Sequence, residues 1–331
     1  MKIKDIAKLA GVSPATVSRV MNNKGYVKAE KRKAVERVIR DVNYQPNEIA
    51  KSLKNQKSKM IGVIVPKIST ETASRVVDGI TTVAKEHGYQ LIIANTNLDV
   101  EEEIRYLNFL SNKLVDGIIM MATEITPIHE EVMSQLTIPI VIVGQKLEGY
   151  TSVLHDDYRA SKAMVNYLID KGHTDIAFIG VDPKDEAVGV IRKKAYTDAL
   201  EEAGISVSNQ QFAIGDFEIE TAYKSMGELL TRSQPTAVFA VTDHLAIGAI
   251  HSISDHGLRI PDDISVVGIG DVKLAKYFSP PLTTVHYMFK TSGIKAAEAL
   301  FENIQTGVRK NQDIMIDFQF EERSSVCSII K

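Results

Sequence analysis

Cys327 is the only cysteine among 331 residues, so neither an internal disulfide nor a cysteine metal cluster can form, and a reducing compartment is the expected setting. No apolar run approaches the twenty or so residues that span a bilayer. The longest, VDGIIMMA and IPIVIVG, are strand-sized, and the basic start MKIKDIAKLA has no leader-like apolar core. A cytoplasmic protein without a membrane partner is therefore expected. The usual enzyme signatures are also missing. After Gly268 and Gly270 the third glycine of a dinucleotide fingerprint is absent, with Asp271, Val272 and Lys273 in its place. Asp243 and His244 lack an accompanying G-x-S-x-G nucleophile elbow. His155, Asp156 and Asp157 end a strand in a polar turn, with no further ligand at helical spacing. Structural or ligand-contacting roles suit these residues better, and no catalytic residue, metal or cofactor is expected.

Net charge is small too, at −3, but it is unevenly spread. Residues 1–58 carry 14 Lys or Arg against 5 Asp or Glu, a net of +9, while the rest hold 25 against 37, a net of −12. A solvated helical face would give the same count. A compact basic head on an acidic body is also what a polyanion partner demands, because neutralising phosphates releases counterions. Within the head, Ile3, Ile6, Ala7, Leu9 and Ala10 recur at helical spacing, Gly11 can supply a left-handed turn, and Ser13 caps a second helix with Pro14 at its first position. Val17, Val20 and Met21 then face inward, leaving Pro14, Ala15, Thr16, Ser18, Arg19 and Asn22 to a partner. A third amphipathic helix over about residues 29–42 buries Val35, Val38, Ile39 and Val42. Three short helices with a basic surface suit a DNA major groove.

In YQPNEIAKSLKN, Pro46 stops the third helix and Asn47 can cap a further segment that is too short to be helical alone in water. Its order must come from a partner. Ile49, Ala50 and Leu53 form an apolar ridge flanked by lysines, suited to wedging a minor-groove base step, although an ordinary linker has the same look. From Met60 onward, MIGVIV, YQLIIAN, VDGIIMM, IPIVIV, DIAFIG, AVFAVT and ISVVGIG alternate with helical stretches. Alternation of this kind predicts parallel sheets with crossover helices, and seven or more strands suggest two sheets. Ligands of such sheets bind beyond the carboxyl ends of the strands.

IKDIAKLAGVSPATVSRVMN and NYQPNEIAKSL, followed by IGVIVP, VDGII, GHTDIAFIG, TDHLAIG, ISVVGIGD and PPLTTV, resemble lactose-repressor-family transcription regulators over essentially the whole chain. The resemblance implies a small all-α helix-turn-helix head at 1–46, a hinge and linker at 47–58, and an α/β periplasmic-binding-protein-like core of two parallel-sheet subdomains at 59–331. The N-subdomain would span about 59–157 and 287–313, the C-subdomain about 158–286 and 314–331. Thr16, Ser18, Arg19 and Asn22 would lie on the recognition helix, led by Pro14 and Ala15, with Tyr26 in the next loop. Asn47, Ala50 and the intercalating Leu53 would form the hinge. The implied partner is a double-stranded palindromic operator bound by a homodimer; no terminal heptads suggest a tetramer.

The resemblance also implies a small-molecule sugar effector between the subdomains. Arg192 and Asp243 match residues that contact effectors in the family. Gly144 and Gly270 stand where family sugar binders often place an aspartate, and Thr72 and Ala73 replace a frequent aromatic pair. KISTETASR opens a helix with Ser69, Thr70, Thr72, Ser74 and Arg75, which together make an expected anion site, unless the segment is only a polar helix start. GVDPKDEAVGVIRKKAY resembles the matching segment of trehalose and sucrose operon repressors. A phosphorylated disaccharide is therefore expected, contacted by Ser69, Thr70, Arg75, Asp156, Arg192, Asp243 and Gly270. The alternatives are a global carbon-catabolite regulator with a phosphorylated carrier protein as corepressor and, in another class, a solute-binding protein.

Overall fold

Three helices build the head: α1 (Ile3–Leu9), α2 (Pro14–Met21) and α3 (Ala29–Asp41). The computed structural model describes residues 3–21, 23, 25–42, 44, 57–112, 114–207 and 211–330. These divide into two compact units, Met1–Ser58 and Lys59–Lys331. Asn22, Asn47, Ala50, Leu53 and the expected hinge helix lie outside the described residues. Gly11 turns the chain between α1 and α2 at φ +63°, where a side chain would be strained. The Ser13 hydroxyl accepts the Thr16 N–H at 3.2 Å, so Pro14 opens α2 without losing a hydrogen bond. Ile6, Val17 and Val35, one from each helix, are fully buried, with Ala7 and Val20 beside them. Val38 and Ile39 pack against this core half-buried, whereas Val42 caps α3 outside it. The periodicity of α1 overreaches at both ends, since Ile3 and Leu9 are exposed.

The second unit holds two parallel sheets. The first has the order β11-β5-β4-β3-β1-β2, from β1 (Met60–Val65), β2 (Gln90–Asn95), β3 (Ile118–Met121), β4 (Ile140–Val143), β5 (Thr151–His155) and β11 (Asp313–Ile316). Helices α4 (Glu71–Glu86), α5 (Val100–Ser111), α6 (Pro127–Gln135) and α11 (Phe289–Thr306) cover it. Alternate residues of a strand face opposite sides: Ile61, Val63, Ile119 and Val141 pack with Val76, Ile80 and Leu300, while Ile64, Ile118, Met120 and Ile142 pack with Leu107, Leu110 and Met133. Burial on both faces is why these strands read as unbroken apolar runs. Gly79 and Gly293 let α4 and α11 touch, since a Cβ on Gly293 would lie 2.0 Å from the Val76 carbonyl oxygen.

The second sheet runs β7-β6-β8-β9, from β6 (Ile176–Val181), β7 (Phe212–Gly215), β8 (Ala237–Ala240) and β9 (Ser265–Val267). It carries α7 (Asp157–Asp170), α8 (Arg192–Glu202), α9 (Ile219–Arg232) and α10 (Asp243–Asp255). Phe178, Tyr196, Phe239 and Leu245 are among its fully buried side chains. A separate antiparallel pair, β10 (Thr284–Tyr287) with β12 (Phe318–Glu321), was not foreseen from the sequence. The chain crosses between subdomains after His155, after Tyr287 and at Asp317. The third crossing was expected near Asp313, but Asp313–Ile316 pairs in parallel with Ser152–His155, so these residues extend the N-subdomain sheet.

Candidate functional site

On α2, Pro14, Ala15 and Arg19 are exposed and Thr16 and Ser18 half-buried, a row facing away from Val17 and Val20. Tyr26 in the next loop is 86% exposed. Lys4, Lys8, Lys28, Lys31 and Lys33 are exposed around them. The ion pairs Arg32–Glu36 and Arg37–Asp41 are at the surface and lengthy, at 3.9 and 3.6 Å, and leave the positive field largely uncancelled. An exposed helix face at the second position of a tight helix pair, among exposed lysines, has the form suited to a DNA groove.

In the core, a cavity of about 330 Å³ lies where the carboxyl ends of the two parallel sheets face each other. Its N-subdomain wall includes Pro66, Lys67, Met121, Thr123, Gly144 and Gln145; its C-subdomain wall includes Asp185, Phe217, Glu218, Thr242, Asp243 and Gly270. His155, Asp157, Tyr287 and Phe289 line it at the crossings.

Arg192 follows a π-helical turn, Glu186–Ile191, which Asp185 caps. Gly189 permits this turn to fold tightly, since a Cβ there would meet the Asp182 carbonyl oxygen at 2.3 Å. The Arg192 guanidinium is almost wholly spent: Nε and Nη2 hold Asp157 Oδ1 at 2.8 and 2.6 Å, and Nη1 donates to the Val241 carbonyl. The Tyr287 hydroxyl also donates to Asp157, at 3.0 Å, and its ring packs beneath the guanidinium. His155 stacks on Tyr287 with ring centres 4.5 Å apart and shares a 2.9 Å hydrogen bond with Ser292. Burial pulls the His155 pKa down to about 4, so this imidazole is neutral.

Asp243 is fully buried at the start of α10, accepting from the Val272 N–H at 2.8 Å and the Thr284 hydroxyl at 2.5 Å. Burial pushes its pKa up to about 6. Gly268 makes room for this carboxylate, because a Cβ there would sit 2.4 Å from Oδ1. Gly144 and Gly270 hold φ of +97° and +137°. Their backbone alone accounts for glycine at positions where a carboxylate might have stood. Two contacts span the cavity. Lys67 pairs with Glu218, and the Gln145 amide donates to Asp185 at 3.2 Å.

Of the residues expected at the effector, Ser69, Thr70, Arg192, Asp243 and Gly270 line the cavity, whereas Arg75 and Asp156 do not. Asp156 caps α7, accepting the Arg159 N–H at 3.0 Å. Arg75 pairs with Glu71 and donates to the Asp271 carbonyl at 3.1 Å. The Thr70 hydroxyl accepts from Ala73 N–H and donates to the Lys67 carbonyl, and the Ser74 hydroxyl donates to Glu71. The donors expected to hold a phosphate at the start of α4 are thus mostly engaged within the protein. Gln145, Asp185, Phe217 and Glu218 were not anticipated, whereas Asp157, read from the sequence as structural or ligand-contacting, lines the cavity. Among the described residues no cluster of three or more His, Cys, Asp or Glu could hold a metal ion, and no helix is long and apolar enough to cross a membrane.

Residues 2–47 match the family model for bacterial regulatory proteins of the lacI family, and residues 165–326 match a periplasmic binding protein-like domain. The HTH-type transcriptional repressor PurR of Histophilus somni (strain 129Pt) is 34% identical over 98% of both chains. Among solved structures, a lac repressor dimer bound to operator and the anti-inducer ONPF is 26% identical, covering 99% of each chain with a TM-score of 0.88. A transcriptional regulator CelR–cellobiose complex is 27% identical over 98% of this chain and 99% of that one, with a TM-score of 0.76.

Proposed function

Because this chain belongs to the lacI family of bacterial regulatory proteins and is a DNA-binding repressor, we propose that it acts in the cytoplasm as a homodimer on a palindromic operator, with a saccharide in the core cavity setting its operator affinity. The cavity carries this reading. Both subdomains supply its walls, and Lys67–Glu218 and Gln145–Asp185 already bridge them. A ligand that touches both walls favours one angle between the subdomains, and it changes operator affinity by its differential affinity for the two states. The homodimer follows the lac repressor neighbour, solved as a dimer on operator. A saccharide follows the cellobiose complex of CelR and the mixture of hydroxyl, amide and carboxylate groups with the Phe217 and Tyr287 rings.

A phosphate on that saccharide has little support. Asp157, Asp185, Glu218 and Asp243 face the cavity against Lys67 and Arg192, both of which are already paired. A phosphorylated carrier protein as corepressor has no observation of its own here, and the DNA-binding head sets aside a solute-binding role. A second reading, a flat heterocycle such as a purine, draws on the rings of Phe217, Tyr287 and Phe289 lining the cavity and on the relatives of 34% identity, which are PurR repressors. Thermal shift of the full chain with neutral mono- and disaccharides, their phosphates and purine bases separates the readings, since only native-state binders raise stability. Stabilisation by neutral saccharides is expected. Stabilisation by purines alone would replace the sugar, and stabilisation by phosphosugars alone would restore the phosphate.

A further inference from the structure

The charges around the cavity do not balance, and the imbalance is concentrated at one oxygen atom. Arg192 neutralises Asp157, and Lys67 neutralises Glu218. Asp185 and Asp243 remain, with no ion pair to either among the described residues. Asp243 is satisfied by hydrogen bonds from Val272 and Thr284. Asp185 is not. Its Oδ1 takes both the Val188 N–H at 2.9 Å and the Gln145 amide at 3.2 Å, while Oδ2 accepts from no described residue. Asp185 is only 8% exposed, and what surface it has lines the cavity. His155, the ionisable ring at the crossing, is held neutral by burial and supplies no compensating charge.

We propose that the group seated against Asp185 is a protonated amine, so that the effector is an amino sugar rather than a neutral or anionic one. Asp185 Oδ2 is reached from the cavity and has no donor from a described residue, so a ligand donor can meet it there, and a cationic donor returns more than a hydroxyl. Burial holds the Asp185 carboxyl above its ordinary range despite the pull of Arg192, so a cation at Oδ2 relieves a penalty that Arg192 leaves in place. The Gln145 amide holds Oδ1 from the opposite wall and leaves Oδ2 without a donor from a described residue. An amine bound there contacts one of the residues that bridge the two subdomains, which links this chemistry to the angle between them. The Phe217 ring on the same wall offers a face for the apolar side of a sugar ring.

The inference rests on the cavity being the effector site, and matched pairs of ligands keep the two claims apart. Calorimetry of the full chain at neutral pH compares glucosamine with glucose and galactosamine with galactose. The amine of a pair should bind about tenfold more tightly than its alcohol, the difference between a charged and a neutral hydrogen bond. Asp185→Asn keeps an oxygen for Val188 and Gln145; it should erase the preference, so that the two members of each pair bind alike whatever their common affinity. Equal affinities within each pair, or a preference that survives Asp185→Asn, would overturn the amine site and leave the saccharide reading in place. Binding by neither member of either pair would also overturn it. With a purine base titrated alongside the pairs, a response to the purine alone would remove both.

Discussion

Replacing Arg192 by leucine tests the centre of the cavity most severely. Arg192 is 7% exposed and Asp157 equally buried, and the two are joined by contacts of 2.6 and 2.8 Å. Removing one partner of such a pair leaves a buried charge without compensation, which costs about 3–5 kcal/mol. The Val241 carbonyl loses its donor as well. The Tyr287 hydroxyl stays on Asp157 and limits the damage. Urea denaturation followed by tyrosine fluorescence should show the loss, and the melting temperature should fall on the order of 10 °C. The double variant Arg192→Leu, Asp157→Asn gives the sharper outcome. An amide needs no cation, so the second substitution should recover about 1–3 kcal/mol rather than add to the loss. A single-variant cost below about 1 kcal/mol, or strict additivity in the double, would refute the view that this pair is one electrostatic unit.

Asp243 gives a pH signature. Its pKa rises from 3.8 to about 6 on folding, so the folded chain holds this proton to a higher pH than the unfolded chain does. The associated stability is complete below 3.8, is lost as pH rises to about 6, and is flat above. The loss is at most roughly 3 kcal/mol, and Asp243→Asn should flatten that part of the stability profile; a profile parallel to that of the native chain would contradict it. Gly268→Ala should cost about 1–3 kcal/mol by driving a Cβ into the Asp243 carboxylate, measured by the shift in denaturation midpoint. Gly270→Ala should be destabilising through its backbone alone, because its nearest side-chain atom is 3.8 Å away. Arg19→Ala should abolish specific operator binding while the melting of the core is unchanged. Full affinity in a mobility-shift titration would remove α2 from the groove.

Local signals carried most of the fold. Gly11, Ser13 and Pro14 mark the turn between α1 and α2 because their effects act within four residues, and the strands of a doubly covered parallel sheet announce themselves as apolar runs. The third crossing escaped because β11 is short and half exposed, so nothing in DIMI says which sheet it joins. The phosphate site at the start of α4 shows the limit of composition. KISTETASR offers donors, but Glu71 lies four residues before Arg75, the spacing of an intrahelical ion pair, and it claims that guanidinium. Gly270 looked like a lost carboxylate, but its φ of +137° excludes almost any side chain. Gln145 and Asp185 meet across the cavity although they are 40 residues apart. Such a contact depends on how two subdomains face each other, and no local pattern encodes it.

Under the proposed function, a ligand in the core cavity sets the affinity of the head for DNA. The direct measurement is the affinity of the full chain for an operator selected from random duplexes, titrated with a panel of neutral and amino saccharides. A palindromic site should emerge, and at least one saccharide should change its affinity by about 5- to 150-fold, the usual range of a coupling free energy. The same saccharide should lose its effect in Arg192→Leu protein that still binds the operator. An operator affinity that stays constant across the panel, or a saccharide effect that persists in that variant, would contradict the proposed coupling.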